Sequence, residues 1–344
     1  MQSADGVLDG SGHRPVDGHL LSEVLARFGC RKKGAKRLDS FVSSVYSCWR
    51  GRERVVLKIT PGSFRTRDAI VAELDFVAHL DRNGIPTLRS IQSLGGQRVE
   101  TLCLADQDYL AYGFQWIDGE SVDGEEWTAD FFRRAGETMG RIHVASKLYP
   151  EARKPRRRPA WDEEDHFEQH IRHFPPALSR LGDDARALLR RLRQLPTDRD
   201  CYGLLHGDMN TGNLLCGDKM WVIDFENCYY GWFVDDIAAS LYYTAHDRWY
   251  YFDAETYPHW AASRGLGTDG ASFAAYYLEH FLQGYVTVCP LAREWIERIP
   301  DFLHLRHLDE YLAKLEGWPP QCDIHGRPAS LESYVRELEA GTYI

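Results

Sequence analysis

The chain has 344 residues, 44% of them hydrophobic, and a formal net charge of −10. That is enough chain for two lobes and too apolar a composition for a disordered protein. No apolar run reaches the eighteen or more residues of a membrane helix, and the acidic balance makes nucleic acid a poor partner. The charge is unevenly placed: residues 1–117 hold 16 Lys and Arg against 13 Asp and Glu, and the rest hold 25 against 38. A basic front half suits phosphates and an acidic back half suits a cationic acceptor, although solvated faces would give the same counts.

Residues 1–18 are rich in Gly, Asp and His and lack the apolar middle of a secretory signal. They read as a flexible leader, and the protein as cytoplasmic. Phe41–Trp49 is rich in β-branched and aromatic residues and predicts a strand. Gly51–Glu53 predicts a turn, and Arg54–Thr60 a second strand stopped by Pro61-Gly62. A helix is predicted from Thr66 to Arg82, with Ile70, Val71, Leu74 and Val77 largely on one face, ended by Asn83-Gly84. Further strands are predicted at 88–91, 99–104 and 109–117.

Beyond the break at Asp118-Gly119 the pattern turns helical, around 128–148, 183–194, 233–246, 271–286 and 292–316. The only strand-like pieces there flank residues 206–226. The reading is therefore a nucleotide-binding lobe over 19–117 and a helical lobe over 118–344. The basic, proline-punctuated stretch 150–161 reads as an exposed loop. Eight scattered cysteines without a C-x-x-C pair fit buried thiols rather than disulfides or zinc.

The most informative stretch is His206-Gly207-Asp208-Met209-Asn210-Thr211-Gly212-Asn213, followed by Val222-Ile223-Asp224-Phe225-Glu226. An Asp, an Asn five residues on and an Asp eleven beyond that make a phosphoryl-transfer set. Asp208 can orient and deprotonate a hydroxyl, while Asn213 and Asp224 can hold magnesium against a nucleotide's phosphates. His206 is read as an anchor for this loop rather than a base. Asp235-Asp236 could be N-terminal capping charges, or one could brace the loop.

Upstream, Lys58 stands in an apolar strand, where a long cation needs a partner. Glu73, on the next helix, neighbours Ile70 and Val77 and can supply one; together they can hold α- and β-phosphates. Ser43 and Ser44 lie where a phosphate-covering turn is needed. No G-x-G-x-x-G or Walker motif accompanies them, so an ordinary polar turn remains open. The runs Trp161-Asp162-Glu163 and Tyr229-Tyr230-Gly231-Trp232, with Glu226, could line an acceptor pocket, though aromatic core packing would explain them equally well.

These motifs resemble those of the aminoglycoside phosphotransferase and choline kinase group, and within it the type II homoserine kinase-like and stress-response kinase-like branch. The likeness rests on Val56-Leu57-Lys58, Ala72-Glu73-Leu74, the His206–Asn213 loop, Ile223–Glu226 and Trp232–Ala238. It implies an α+β, bilobal, protein-kinase-like fold with a small antiparallel-sheet lobe carrying one helix and a larger, mainly helical lobe. It further implies ATP and Mg2+, with GTP open, and a hinge using backbone groups of Gln115 and Ile117 for the base. The chain departs from protein kinases in His-Gly-Asp, in Asp-Phe-Glu and in lacking an A-P-E segment. The expected activity is phosphorylation of a hydroxyl on a small cationic or zwitterionic molecule, an aminated antibiotic or related amino-alcohol. Homoserine-type and Ser/Thr-protein acceptors are the alternatives.

Overall fold

Six antiparallel strands and two helices build the N-terminal part of the chain. The computed structural model describes residues 16–38, 43–150, 157–315 and 330–344; the leader's first fifteen residues, Phe41, Val42 and Cys322 lie outside them. The described residues divide into two compact units, one running to Asp118 with Arg157 added, the other comprising Gly119–Pro150 and Arg158–Ile344.

In the first unit α1 (Gly18–Arg27) precedes β1 (Cys30–Leu38), β2 (Ser44–Arg50) and β3 (Glu53–Pro61), then α2 (Arg67–Arg82), β4 (Ser90–Ile91), β5 (Val99–Leu104) and β6 (Gln107–Gln115). The sheet order is β1-β2-β3-β6-β4, with β5 also on β6. Alternation along the strands gives two apolar faces. Leu20, Val24 and Phe28 around α1 pack on Tyr46, Cys48, Val55, Leu57 and Ile59. Ile70, Val71 and Leu74 of α2 pack on Val99, Leu110, Tyr112 and Phe114.

This unit therefore has two helices where the sequence reading gave it one. The missed α1 is short, but its signals are in the sequence. Asp17 caps it through His19 N–H, and Leu20 and Val24 stand one turn apart. Strand β1 was also missed, because Lys and Arg fill a largely exposed edge strand.

The second unit opens with β7 (Glu120–Ser121) and α3 (Ala129–Lys147), followed by α4 (His166–Ile171) and α5 (Ser179–Leu192). Next come β8 (Tyr202–Leu204), β9 (Leu214–Cys216), β10 (Met220–Val222) and β11 (Tyr230–Trp232). The remainder is α6 (Phe233–Tyr251), α7 (Thr256–Ala262), α8 (Gly270–Tyr285), α9 (Arg293–Ile296), α10 (Ile299–Leu315) and α11 (Leu331–Ala340). Strands pair as β10-β9-β7 and as β11-β8. Helices α3 and α8 approach closely because Gly136 and Gly284 have no side chain. A Cβ on either would fall within 2 Å of a backbone oxygen, Phe281 O or Arg133 O.

The fold class is α+β, with an antiparallel-sheet N-terminal region and a helical C-terminal part. Seven cysteines are free thiols, and no described helix is long and apolar enough to cross a membrane.

Candidate active site

The loop from β8 to β9 carries Asp208 and Asn213, and the turn from β10 to β11 carries Asp224. Pairing of Leu214 with Val222 sets the two segments side by side. One step further, Ile223 N–H donates to the Asn213 carbonyl at 3.0 Å. His206 completes the join. It is fully buried, its Nδ1 accepts from Asp208 N–H at 3.2 Å, and its Nε2 lies 3.0 Å from the Ile223 carbonyl. With Nδ1 accepting, Nε2 must carry the hydrogen and donate. Burial lowers the His206 pKa despite nearby Asp236, which keeps the ring neutral. Both nitrogens are occupied in tying Asp208 to the residue before Asp224, so the ring anchors the loop.

Asp236, one of two first-turn acids on α6, braces the same loop. Its Oδ2 accepts from His206 N–H and its Oδ1 from Gly207 N–H, each at 2.9 Å. Gly207 adopts φ +81°, and a Cβ there would meet Asn227 O at 2.5 Å. Only glycine fits this turn.

Asp208 is half-buried. Its Oδ1 accepts from Asn210 Nδ2 at 2.8 Å, and Asn213 Nδ2 donates to its backbone carbonyl at 2.7 Å. Burial, then the charges of Asp224 and Asp247, push its pKa well above the usual carboxylate range. Asn213 spends its amide nitrogen on that bond, which leaves Oδ1, the atom a hard cation takes. Asp224 sits at φ +65°, ψ +64°, a left-handed geometry that Asp tolerates better than most residues. No described group of three or more His, Cys, Asp or Glu forms a metal cage. Two oxygen donors with phosphates completing the shell fit magnesium, which rarely takes an all-protein site.

In the first unit, Lys58 on β3 and Glu73 on α2 are both buried. Lys58 pairs with Tyr112 in register, so it shares the sheet face covered by α2. Ser43 is buried and its hydroxyl bonds Thr60 Oγ1 at 2.7 Å. Ser44 is buried in β2 opposite Ile59. The Ser43 hydroxyl thus ties the residue before β2 to β3. Strand β6 ends at Gln115, whose N–H donates to the Arg89 carbonyl at 2.9 Å. Ile117, two residues on, is half-buried.

Of the expected acceptor residues, Trp232 needs correction. Trp232 is 1% exposed, donates its indole N–H to Pro196 O at 2.8 Å, and packs on Trp161, Tyr202 and Phe302. It is core, and Trp161 belongs to the same aromatic cluster. Asp162 is held by Arg193 Nε at 3.0 Å and accepts from Phe167 N–H. Tyr230 lies in β11, its carbonyl accepting from the Tyr202 hydroxyl at 2.9 Å. Glu226 is buried, its carbonyl bound by Arg158.

The structure draws attention instead to a polar stripe on α6. Asp236, Ser240, Tyr243 and Asp247 recur at helical spacing on one face. Ser240 Oγ donates to Met209 O, and the Tyr243 hydroxyl donates to Glu310 Oε1 at 2.8 Å. Burial, then Glu310, raises Asp247 to about 7. The stripe is present in the sequence, but the predicted helix stopped at 246. Arg158 was also missed. Buried, it binds the Cys228 and Glu226 carbonyls at 2.7 Å each and so fixes the turn after Asp224.

Residues 35–291 match the phosphotransferase enzyme family model termed APH. The chain belongs to this family. It is 30% identical over 327 residues to the amicoumacin kinase of Bacillus subtilis (strain 168), covering 94% of this chain and 93% of that one. Among solved structures, "Amicoumacin kinase hAmiN in complex with AMP-PNP, Ca2+ and Ami" superposes with TM-score 0.81 at 26% identity, over 96% and 95% of the two chains. A microcompartment-associated aminopropanol kinase shares the fold, with TM-score 0.66 at 21% identity over 95% of each chain. The protein is a small-molecule kinase that transfers phosphate to hydroxyl groups.

Proposed function

We propose that the protein moves the γ-phosphate of ATP, with Mg2+, to a hydroxyl of an amine-bearing antibiotic, amicoumacin being the first acceptor to test. The single observation carrying this is the placement of Asp208 on a loop anchored by Asp236 and His206, beside the segment that carries Asp224; burial also raises its pKa. A carboxylate with raised pKa is a better proton acceptor near neutral pH. Asp208 takes the proton of the acceptor hydroxyl as that oxygen attacks in line; the bond from the γ-phosphorus to the bridging oxygen breaks and ADP leaves. Asn213 and Asp224 would hold magnesium, which would supply charge neutralisation at the phosphates. Lys58, braced by Glu73, would grip the α- and β-phosphates, and backbone groups of Gln115 and Ile117 the base. Asp247 and Glu310 would draw an ammonium group toward Asp208.

The likeness to amicoumacin kinase at 30% identity over nearly the whole chain supports the acceptor class. The test is acceptor-dependent ADP release with ATP and Mg2+, using amicoumacin, aminoglycosides, choline, homoserine and a generic protein substrate. Turnover with an amine-bearing antibiotic, absent in Asp208→Ala, supports the reading. Turnover with homoserine or the protein alone would replace it.

A further inference from the structure

The second unit holds a cavity that takes no part in the chemistry above. Its volume is about 590 Å³, inside the range of small-molecule sites. Cys201, just before β8, lines it, whereas the candidate catalytic loop leaves the other end of that strand. Its other walls are the ends of helices: Lys147 closes α3, Phe233 opens α6, and Leu291 and Trp295 come from α9 and the turn before it.

The interior is apolar. Phe233 is 2% exposed and stacks on His143 of α3 at 4.6 Å and 26°. Pro196 and Leu291 line the cavity with it. Burial, then Asp198, pushes the Cys201 thiol up to about 11, so the sulfur there is neutral and soft.

Trp295 stands out among these walls. It is half-buried, yet among the described residues its ring meets no other ring and no cation. The other described tryptophans of the second unit are all engaged. Trp127, Trp161, Trp232, Trp249 and Trp260 pack on rings, and Trp221 lies under Lys219.

The mouth is acidic. Asp198, Asp200 and Glu294 are exposed there, and among the described residues none of the three has an ion pair. Asp198 accepts from Asp200 N–H at 3.0 Å and from Cys201 Sγ at 3.7 Å, which leaves its charge uncompensated. The nearby cations are engaged elsewhere. Arg293 pairs with Glu297 at 2.8 Å, Arg199 donates to the Lys147 carbonyl at 3.5 Å, and Lys147 Nζ sits over the Phe233 ring at 5.5 Å.

We propose that this cavity binds a small amphiphilic amine, its apolar body between Trp295, Phe233, Leu291 and Pro196 and its ammonium among Asp198, Asp200 and Glu294. Three carboxylates against one lysine disfavour an anion. The apolar walls disfavour a bare metal ion or a sugar, since neither recovers there the hydration it loses. An aromatic ring beside the carboxylates adds cation–π attraction to the charge.

The experiment uses the full-length protein without ATP, so it does not depend on the phosphotransfer reading. Calorimetry compares three probes that share one body: 4-phenylbutylamine, 4-phenylbutanol and 4-phenylbutanoate. The amine should bind saturably, the alcohol about tenfold more weakly, as when a charge-assisted bond is lost, and the carboxylate not at all. Glu294→Gln combined with Asp200→Asn should bring the amine to the affinity of the alcohol. Ala292 also lines the cavity and is exposed, so Ala292→Trp should fill the mouth and abolish binding of both. Asp247→Asn should bind the amine as wild type does. Hydrogen exchange locates the site in wild type alone: peptides covering 196–202 and 289–297 should exchange more slowly with the amine bound.

No saturable binding of the amine would overturn the proposal. So would equal affinity for the three probes. Amine binding that survives Ala292→Trp, or that is lost in Asp247→Asn with exchange unchanged at 196–202 and 289–297, would place the amine elsewhere and overturn it as well.

Discussion

The two units carry their candidate functional residues in opposite ways. In the first, Lys58 and Glu73 stand on a strand and a helix that face each other across an apolar layer. Packing of Ile70, Val71 and Leu74 against the sheet locates them, and their precision comes from regular structure. In the second, Asp208, Asn213 and Asp224 stand on loops. Those loops hang from buried polar groups: Asp236 and His143 behind Gly207, Ser240 at Met209, and Arg158 at Glu226 and Cys228. Hydrophobic burial can position an element without choosing an angle. A hydrogen-bonded bracket is directional, so a loop needs one if it is to hold a carboxylate in line with a reacting phosphate.

The largest effect that would sharpen this contrast is at Asp208. Asp208→Ala should lower kcat by about 10²–10⁴, the range for losing a general base, while ATP affinity by calorimetry stays close to wild type. Near-normal turnover would remove Asp208 from its role. Next come paired variants, one from each unit. Asp236→Ala leaves two loop amides unsatisfied, each costing about 1–3 kcal/mol. It should lower both kcat and the unfolding midpoint. Lys58→Met should raise the ATP KM by about tenfold, the loss of a charge-assisted bond, and leave the acceptor KM alone. If Lys58→Met instead damaged kcat and stability as Asp236→Ala does, the distinction between the units would break.

A smaller effect concerns the acceptor. Asp247 titrates at about 7, so its negative charge, and the draw on a cation, grow as pH rises through that value. The acceptor KM should fall over the same range, and Asp247→Asn should raise it and flatten the profile. An unchanged profile in the variant would exclude Asp247 from acceptor capture.

The smallest expected effect is on stability. Burial, then the neighbouring His246, lowers His307 to about 3. An unfolded histidine titrates near 6.5, so below that the unfolded chain binds the extra proton. Stability from His307 is therefore full above about pH 6.5 and falls as pH drops toward 3. Asp247, at about 7, and Asp235, at about 6, oppose this, since their raised values favour the folded state at low pH. Comparing melts of wild type and His307→Gln between pH 7 and 5 isolates the term. The variant should lose less stability on acidification, and an identical slope would contradict the assignment.

The contrast also explains what could be read from the sequence. The His206–Asn213 and Ile223–Glu226 runs were legible because loop chemistry needs particular residue types in a short span. Lys58 and Glu73 were legible only after those runs had set the context, since a strand lysine alone looks like any edge lysine. The supports were much harder to see. His143 sits 63 residues before His206, inside a helix where it reads as one polar position among apolar neighbours. Arg158 sits in a basic loop and reads as solvated. Trp232 misled for the converse reason: an aromatic next to a catalytic turn has the same sequence signature whether it lines a pocket or fills a core. Helix α1 was overlooked because it follows directly on the polar leader.

The proposed reaction is phosphorylation of a small amine-bearing antibiotic through Asp208. Mass spectrometry of amicoumacin incubated with the protein, ATP and Mg2+ tests it most directly. The expected product carries a single added phosphoryl group on a hydroxyl oxygen, formed by wild type and not by Asp208→Ala. Unmodified amicoumacin, alongside phosphate found on homoserine or on a protein hydroxyl, would contradict it.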